Sequence, residues 1–481
     1  MVSSSAVATR TYPFLLGGEL RSGADSVPIR SPYSGDLIGR AELAGPDDVA
    51  AALDAAVAAA PAAAALPSHA RAAVLDRIGA GVAERRESLA RLLAAEAGKP
   101  LALALTEIDR AVFVFRQGAE EAVRMGGEVI PMDLQPHGER RWGITRRFPL
   151  SPISAIIPFN FPVLLAAHKL APAIACGATM VLKAPPQDPL TTLLLGEIIR
   201  ESGYPAGALS ILLCTNDVAA PLIDDPRVRM ITFTGSARAG WAIRRRAFTK
   251  RVTLELGGNA AVMIEPDADL DHAVRRCVAG GYLYAGQSCI STQRILVHES
   301  LYPRFTQRFV AAVTALRTGD PMAETTEVGP MIDQASAERA AEWIAEAVTA
   351  GARVAAGGRR EGAMLEPTVL LDTTGAMRVN CEEIFAPVTT VRPYAGFDEA
   401  VAAVNDSPYG IQAGLFTNDM RTILRAFERI EVGGLVVNDV PGFRVDHAPY
   451  GGVKESGQGR EGVRYAIEEM TELKLLVLGA T

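Results

Sequence analysis

The sequence is poor in the residues that bind metals or form disulfides. Its 481 residues include five cysteines and six histidines, without any C-x-x-C or H-x-x-x-H spacing. Structural zinc sites depend on such spacings, and disulfide frameworks depend on a dense, even cysteine count. A G-x-S-x-G motif, which carries the nucleophile of many serine hydrolases, is also missing. The sequence therefore predicts no metal site, and free thiols in a reducing compartment.

A surplus of positive charge, a leader sequence and a strongly apolar run are missing as well. The net charge of −7 argues against nucleic acid or an anionic membrane as the main partner. The N-terminus shows no basic start followed by an apolar core and a cleavage site. The alanine-rich run 51–67 contains Asp54 and Pro61 and is typical of an amphipathic surface helix. We expect a cytoplasmic protein that binds neither nucleic acid nor membranes.

Short β-branched runs alternate with amphipathic stretches of helical length from about residue 150 onward. The predicted elements are strand 153–157, helix 162–175, strand 179–183, helix 190–202, strand 209–213, helix 216–223, strand 229–233 and a helix from Ser236. A second alternating block at about 260–455 has predicted strands at 294–298, 388–394, 414–417 and 433–438. This alternation predicts an α/β fold with doubly wound parallel sheets, which bind ligands at the carboxyl ends of their strands.

Two segments have no evident local partner. Residues 124–146 are typical of a hairpin arm, and residues 473–478 form an isolated apolar strand at the C-terminus. Unpaired strand edges favour pairing with another chain, so we expect a homo-oligomer, with pairing inside the chain as the alternative.

Three polar residues lie in settings that suggest chemistry, and each has an ordinary structural alternative. Cys289 lies in "GQSCIS", although a free cysteine is most often a small core residue. Asn160 lies in "PFNFP", where it is either a cap or an amide donor to an oxyanion. Glu255 lies in the apolar run "TLELGGN", where burial would raise its pKa as a general base requires.

Other segments suit a dinucleotide. "FTGSARAG" follows a strand and begins a helix, so backbone amides near Gly235 and Ser236 would favour a phosphate, although the G-x-G-x-x-G fingerprint is missing. Lys183 ends a strand and is either a ribose or phosphate ligand or a surface lysine. Glu383 and Phe385 stand two residues apart, which predicts that they share one face of a strand.

The motifs together resemble those of the NAD(P)-dependent, non-acylating aldehyde dehydrogenase superfamily. "PFNFP", "VLK", "FTGS", "LELGGN", "GQSC", "EEIFAPV" and "PYGGVKESGQGRE" occur in the family's order and approximate spacing, and the resemblance spans residues 30–476. It implies a Rossmann-type dinucleotide-binding domain (1–123 and 147–257), an α/β catalytic domain (258–454), and a β-hairpin oligomerisation arm with bridging segments (124–146 and 455–481).

The resemblance also implies the role of each site residue. Cys289 would be the nucleophile, Asn160 and the backbone N–H of Cys289 the oxyanion donors, and Glu255 the general base. The implied cofactor-binding residues are Pro158, Phe159, Lys183, Gly235, Ser236, Leu256, Glu383 and Phe385. The thiolate attacks the aldehyde, collapse of the tetrahedral adduct expels hydride to the nicotinamide and leaves a thioester, and Glu255 activates the water that releases the acid.

Some positions bear on the choice of cofactor and substrate. Pro186 stands where many family members carry a Glu that holds the adenosine 2′-hydroxyl, so the sequence is compatible with NADP as well as NAD. Arg116, His168 and Arg444 stand where relatives acting on anionic aldehydes approach the substrate. Converging cations suit carboxylate, phosphonate or sulfonate groups, although each residue could instead form a structural ion pair. We therefore expect a short polar or anionic aldehyde, of the lactaldehyde or semialdehyde kind.

Two alternative functions stay open at this point. In a coenzyme-A-acylating semialdehyde dehydrogenase a thiol replaces water, and such enzymes generally lack the general-base Glu, so Glu255 argues against this function. The other alternative is a catalytically silent binding protein, because a fold alone does not give a function. The presence of Cys289, Glu255 and Asn160 together favours an enzyme that acts on a small aldehyde. From the arm and the C-terminal strand we expect a homodimer or homotetramer.

Overall fold

An eight-stranded sheet contains the first alternating block of the sequence. The computed structural model describes residues 10–479. The strand order is Gly457–Gln458, Arg251–Glu255, Met230–Thr234, Ile153–Ile156, Met180–Lys183, Leu209–Leu212, Phe14–Leu16 and Glu19–Arg21. The five strands from Arg251–Glu255 to Leu209–Leu212 are parallel. The chain order reverses between Ile153–Ile156 and Met230–Thr234, and open α/β sheets bind ligands at such a switch point.

A seven-stranded sheet contains the second alternating block. Its order is Arg353–Ala356, Thr368–Leu371, Val388–Tyr394, Arg294–His298, Ala261–Ile264, Gln412–Phe416 and Gly434–Val437. All of these strands except Arg353–Ala356 run parallel to their neighbours. Small sheets join Thr11–Tyr12, Leu37–Leu43 and Asp25–Arg30; Arg360–Glu361 and Met364–Leu365; and Tyr409–Gly410 and Val453–Lys454.

Helices connect the strands of both sheets. The α-helices are Pro46–Ala65, Ser68–Glu84, Arg86–Ala97, Leu101–Arg124, Pro162–Cys176, Leu190–Arg200, Pro221–Asp224, Ala237–Arg246, Leu270–Tyr282, Tyr302–Thr314, Gln334–Thr349, Arg378–Cys381, Phe397–Asn405, Met420–Arg429 and Val463–Glu469, with 3₁₀ turns at Pro136–Gly138 and Leu283–Gly286. Several begin at a side chain that caps the first turn: Ser236, Asp269, Asp333 and Asp419 each accept a hydrogen bond from a backbone N–H of the helix that follows.

The predicted α/β fold is confirmed, and two local predictions are wrong. The predicted helix at 216–223 is reduced to the single turn Pro221–Asp224. Glu383 and Phe385 lie in a loop and not on a strand, and Phe385 has a φ of 50°. The two-residue spacing therefore does not place these side chains on one face of a sheet.

The alanine-rich helix Pro46–Ala65 is long and apolar enough to cross a membrane by length and composition. Val49, Leu53 and several alanines on one of its faces are buried, and the helix contacts strands Met180–Lys183 and Leu209–Leu212. This packing is that of a helix covering a sheet.

The arm and the C-terminal strand pair with each other within the chain. Val129–Pro131, Arg141–Pro149 and Thr471–Gly479 form one antiparallel sheet, with nine residue pairs between the last two strands. For these strands the alternative of pairing inside the chain therefore holds, in place of the expected pairing with another chain. The partner lies more than 300 positions away in the sequence, where no local pattern could identify it.

The domain boundaries remain a prediction. The segment 455–481, expected to bridge or to mediate oligomerisation, also gives strand Gly457–Gln458 to the eight-stranded sheet. Residues 1–9 and 480–481, part of the predicted first domain and last segment, lie outside the described residues.

Candidate active site

A cavity of about 510 Å³ is lined by the ends of both large sheets. Asn160 and Gly235 follow strands of the eight-stranded sheet at their carboxyl ends, while Cys289 and Phe385 precede strands of the seven-stranded sheet at their amino ends. The site therefore differs from a simple carboxyl-end crevice, because the second sheet contributes its opposite edge.

Cys289 follows a strained turn. Tyr284 and Ala285 have φ values of 49° and 50°, and Gly286 has a φ of 70°. A Cβ on Gly286 would lie 2.0 Å from the Ala386 carbonyl oxygen, so only glycine fits. The Cys289 side chain is half-buried in the cavity wall, and its sulfur lies 3.0 Å from the Tyr450 hydroxyl. Burial raises the pKa of Cys289 to about 12, against the opposing effect of the hydrogen bond with Tyr450.

Asn160 is buried in the loop between strand Ile153–Ile156 and helix Pro162–Cys176. Its Nδ2 donates to the Gln287 carbonyl at 3.0 Å, which ties the loop to the segment preceding Cys289. The amide has a second N–H. The Cys289 backbone N–H donates no hydrogen bond within residues 10–479. Both expected oxyanion donors therefore have a free hydrogen, and both residues line the cavity.

Glu255 ends its strand inside the cavity and is 6% exposed. Its Oε2 has no hydrogen-bond partner among the described residues. Burial, and then the charge of Glu461, raise the pKa of Glu255 well above its ordinary value, while Arg444 and Lys169 oppose this shift. A carboxyl group with a raised pKa and an unpaired oxygen in a cavity suits a general base.

Most of the predicted cofactor-binding residues surround one part of this cavity. Pro158, Phe159, Gly235, Ser236, Leu256, Glu383 and Phe385 line it. Ser236 caps helix Ala237–Arg246, so the backbone amides of that helix begin at the cavity wall. Lys183 ends strand Met180–Lys183 and is buried outside this lining, and burial lowers its pKa.

The surroundings of Glu383 and Phe385 suit the binding of a ribose and a nicotinamide ring. Glu383 accepts a hydrogen bond from the Gly258 backbone N–H at 2.9 Å, and burial raises its pKa to about 7. A Cβ on Gly257 would lie 2.3 Å from Glu383 Oε2, so this approach requires glycine. Phe385 meets Phe159 edge to face with 5.9 Å between ring centroids. These residues fit a nicotinamide dinucleotide, which supplies a hydride acceptor when it is bound.

The three predicted substrate residues differ in their placement. Arg444 lines the cavity. His168 is buried behind it, with Nε2 3.2 Å from Arg444 Nη2 and 3.1 Å from Asp446 Oδ1. Arg116 is exposed on helix Leu101–Arg124 and lies outside the lining of the described cavity. The structure therefore does not bring Arg116 to the site, and its predicted substrate contact is corrected.

Arg110 is the arginine of that helix that lines the cavity, and it is not among the residues predicted from the sequence. It donates two hydrogen bonds to Asp446, at 2.9 and 2.7 Å. Six residues along a helix correspond to 600° of rotation, so Arg110 and Arg116 lie on different faces. Helical phase was the available signal, because the buried residues Glu107, Ala111 and Val114 mark the inward face.

Lys99 and Glu107 were also missed, although both are fully buried. Lys99 Nζ donates to Glu107 and, at 2.6 Å, to the Asn160 carbonyl. Glu107 accepts the backbone N–H groups of Val163 and Leu164 at 3.0 and 3.2 Å. A Glu among the buried apolar residues of a helix was the signal, because an unpaired charge there is costly.

Tyr450, Glu461 and Lys169 complete the set of missed residues. Glu461 Oε2 accepts from Arg444 at 3.0 Å, and its Oε1 lies 3.5 Å from Lys169 Nζ. Lys169 also donates to Thr232 at 2.9 Å. Burial alone would raise the pKa of Glu461, but Lys169 and Arg444 outweigh it and hold the pKa below its usual range. A carboxylate with a lowered pKa therefore stands beside Glu255, whose pKa is raised.

Comparisons with known proteins agree with this geometry. The model of the aldehyde dehydrogenase family matches residues 20–476. The chain is 40% identical over 476 residues to a 3-sulfolactaldehyde dehydrogenase of Priestia aryabhattai, covering 99% of both chains. It is 42% identical to the crystal structure of aldehyde dehydrogenase 21 from Physcomitrella patens in complex with the product succinate, with a TM-score of 0.96 and 98% of each chain covered.

A third comparison concerns the cofactor. The structure of glyceraldehyde-3-phosphate dehydrogenase from Methanocaldococcus jannaschii, complexed with NADP, matches with a TM-score of 0.91 and 35% identity, covering 95% of this chain and 100% of that one. The family match spans nearly the whole chain, and the expected nucleophile, base and amide line one cavity. The chain belongs to the aldehyde dehydrogenase family and is an NAD(P)-dependent oxidoreductase.

Proposed function

We propose that the protein oxidises a short aldehyde bearing a carboxylate or sulfonate group to the corresponding acid. One observation carries the substrate class. The Arg444 guanidinium lies 3.7 Å from the Tyr450 ring centroid, and the hydroxyl of that ring lies 3.0 Å from the Cys289 sulfur. A cation therefore stands one side chain away from the nucleophile, which suits an anionic group a few carbons from the aldehyde.

The relatives support this substrate class. The Priestia relative is named for sulfolactaldehyde, and the Physcomitrella structure holds succinate as its product. In this chain Arg110, Arg276 and Arg444 all line the cavity. Arg444 is 9% exposed, and Glu461 holds its guanidinium at 3.0 Å while the side chain lines the cavity.

The residues of the chain perform the chemistry in a fixed order. Cys289 attacks the aldehyde carbon, and the amide of Asn160 with the backbone N–H of Cys289 stabilises the oxyanion of the thiohemiacetal. A bound nicotinamide dinucleotide would accept a hydride from this adduct, which would leave a thioester on Cys289. Glu255 then takes a proton from water, the hydroxide displaces the thiolate, and the acid is released.

Glu255 also bears on the acylating alternative. A water-activating carboxyl group in the cavity supports hydrolysis of the thioester over its transfer to coenzyme A. We expect the rate of reduced-cofactor formation to be the same with and without coenzyme A. Acyl-coenzyme A as the main product would contradict hydrolysis.

The substrate class is tested with Arg444→Met, and Arg116→Met is the matched control. Succinic semialdehyde is compared with butanal, which lacks the charge. Loss of a charge-assisted contact worth about 1.5–3 kcal/mol should lower kcat/KM for the semialdehyde about tenfold to hundredfold, and far less for butanal. Arg116→Met should behave like the wild type. An equal loss on both aldehydes in Arg444→Met would overturn the proposed anion site.

We also propose that the enzyme accepts both NAD and NADP. Pro186 is exposed and carries no charge, so no carboxylate at this position repels a 2′-phosphate. Catalytic efficiencies measured with the two cofactors should differ by less than about a hundredfold, which corresponds to about 2.8 kcal/mol of discrimination. An efficiency with NADP too low to measure would contradict this proposal.

We propose further that the arm mediates assembly into a homodimer or homotetramer in the cytoplasm. Trp142, Leu473, Leu475 and Leu476 are 53–64% exposed on the three-stranded arm sheet, and strand Thr471–Gly479 is an open edge of that sheet. Apolar open edges favour association. Light scattering should give a dimer or tetramer, which Leu475→Asp disrupts and Val348→Asp, at an exposed helix position, does not. A monomeric wild type would contradict assembly.

A further inference from the structure

The Tyr450 hydroxyl touches the reacting sulfur. The ring is 4% exposed, and its oxygen lies 3.0 Å from Cys289 Sγ, the one hydrogen bond that this hydroxyl makes among the described residues. A phenol O–H is a stronger donor than a thiol S–H, so the tyrosine is the donor in this pair. The side chain therefore faces the nucleophile with its proton.

A closed set of contacts fixes the position of Tyr450. Its backbone pairs with that of Glu461 through two hydrogen bonds, of 3.1 and 2.7 Å. The Glu461 side chain accepts from Arg444 at 3.0 Å, and the Arg444 guanidinium lies 3.7 Å from the Tyr450 ring centroid. Backbone bridge, ion pair and cation–π contact form a triangle, so the ring cannot turn without breaking one of them.

We propose that Tyr450 is a catalytic residue whose hydroxyl donates a hydrogen bond to the Cys289 sulfur and stabilises the thiolate. Arg444 above the ring draws electron density from the phenol and makes its O–H a stronger donor. The thiol proton leaves to water in the cavity, and the phenol keeps its own proton. The sulfur lone pair then forms the C–S bond, and the negative charge passes to the aldehyde oxygen.

The charged groups facing Cys289 show why such a donor matters. Burial and the carboxyl groups of Glu383 and Glu255 oppose ionisation of the thiol, while Tyr450 and Arg444 favour it. Arg444 is already bound to Glu461, so its charge reaches the sulfur mainly across the tyrosine ring. The Tyr450 hydroxyl is in direct contact with the sulfur, so its hydrogen bond can stabilise the negative charge that forms there.

The experiment measures alkylation of Cys289 by iodoacetamide between pH 7 and pH 10 in the full-length protein, followed by mass on the peptide containing Cys289. Tyr450→Phe keeps the ring and its contact with Arg444 but removes the donor. Loss of one hydrogen bond to the thiolate should raise the thiol pKa by about one unit or more. The alkylation rate should fall about threefold to tenfold, because the more basic thiolate is also more nucleophilic.

Tyr204→Phe is the matched control. Tyr204 lies outside the cavity lining, and its hydroxyl donates to the Ala178 carbonyl at 2.9 Å. We expect its alkylation rate to equal that of the wild type. Arg444→Met should slow alkylation by a smaller factor than Tyr450→Phe, because the hydroxyl is still present.

An unchanged or faster alkylation of Cys289 in Tyr450→Phe would overturn the inference and leave Tyr450 a packing residue. The inference rests on Cys289 being the nucleophile of the proposed function. Alkylation needs neither aldehyde nor cofactor, however, so a wrong substrate class would leave this result unaffected, and the two failures can be told apart.

Discussion

Two buried groups of charged residues flank the catalytic loops, and they differ in how completely their polar atoms are bonded. In the first, the pair Lys99–Glu107, the ammonium group donates to Glu107 and to Asn160, and both carboxylate oxygens accept hydrogen bonds. The Lys99 ammonium also lies 4.0 and 4.4 Å from the ring centroids of Phe161 and Tyr284. Lys99 therefore contacts both the loop that contains Asn160 and the turn that precedes Cys289.

The second group, the Arg444 network, consists of Arg110, His168, Arg444, Asp446 and Glu461. Here His168 Nδ1, Arg444 Nε and Glu461 Oε1 have no hydrogen-bond partner among the described residues. Burial and the charge of Arg444 lower the pKa of His168, so the imidazole is neutral at pH 7 and its Nε2 can serve only one of its two neighbours.

This contrast indicates that the Lys99–Glu107 pair and the Arg444 network have different functions. Fully bonded buried charges fix a backbone, since any movement would leave a charge unpaired. Incompletely bonded charges beside a cavity keep donors and acceptors for a ligand. We therefore expect the Lys99–Glu107 pair to support the fold and the geometry of Asn160, and the Arg444 network to respond to substrate and pH.

The largest expected effect is a loss of stability when the Lys99–Glu107 pair is broken. Lys99→Met leaves Glu107 as an uncompensated buried carboxylate and should lower the free energy of unfolding by about 3–5 kcal/mol. The double variant Lys99→Met/Glu107→Gln removes both charges and should recover much of that loss, because the amide still accepts the two backbone N–H groups. Denaturant unfolding measures both. If the double variant is no more stable than the single one, the pair is not the source of the effect.

The second-largest expected effect is a loss of catalytic rate in Asn160→Ala, with little change in cofactor binding. Asn160→Ala removes one oxyanion donor and should lower kcat about 10²–10³-fold, while binding of NAD or NADP, measured by calorimetry, changes little. In the Lys99→Met/Glu107→Gln variant Asn160 is present but less well held, so kcat should fall by a smaller factor. Wild-type kcat in Asn160→Ala would show that the amide is not an oxyanion donor.

A pH effect is expected in the Arg444 network. The folded-state pKa of Glu461 is lowered, so its contribution to stability is present above its unfolded value of about 4.3 and is lost as the pH falls below it. The pKa of Glu461 is lowered to about 2 in the folded state, so Glu461→Gln should flatten the dependence of the unfolding free energy on pH between about pH 4.3 and pH 2. A wild type and variant with parallel curves in this window would contradict the pKa shift.

The sequence allowed much of the fold and the core of the site to be predicted. Strands such as 153–157 and 229–233 are short, mostly apolar runs bounded by turns, which is typical of a buried parallel sheet. The motifs around Asn160, Glu255 and Cys289 identified the residues that meet in the cavity. The placement of Arg116 was wrong, because a residue's distance from a motif does not show which face of a helix it occupies.

Contacts between distant segments explain the remaining omissions. Lys99 and Asn160 are 61 residues apart, and Arg444 and His168 are 276 apart. The C-terminal strand and its partner in the arm are farther apart still. No spacing or periodicity encodes such pairs. Tyr450 and Glu461 stand near the two ends of the motif "PYGGVKESGQGRE", but only the fold shows that Tyr450 contacts Cys289, that Glu461 pairs with Arg444, and that Lys99 contacts the Asn160 loop.

The most direct test of the account is the trapping of the acyl-enzyme. Glu255→Gln should form the thioester on Cys289 but hydrolyse it slowly. After mixing with succinic semialdehyde and NAD or NADP, intact mass should show one succinyl group per chain, and peptide mapping should place it on Cys289. A burst of reduced cofactor with no adduct on Cys289, or an adduct on another residue, would contradict it.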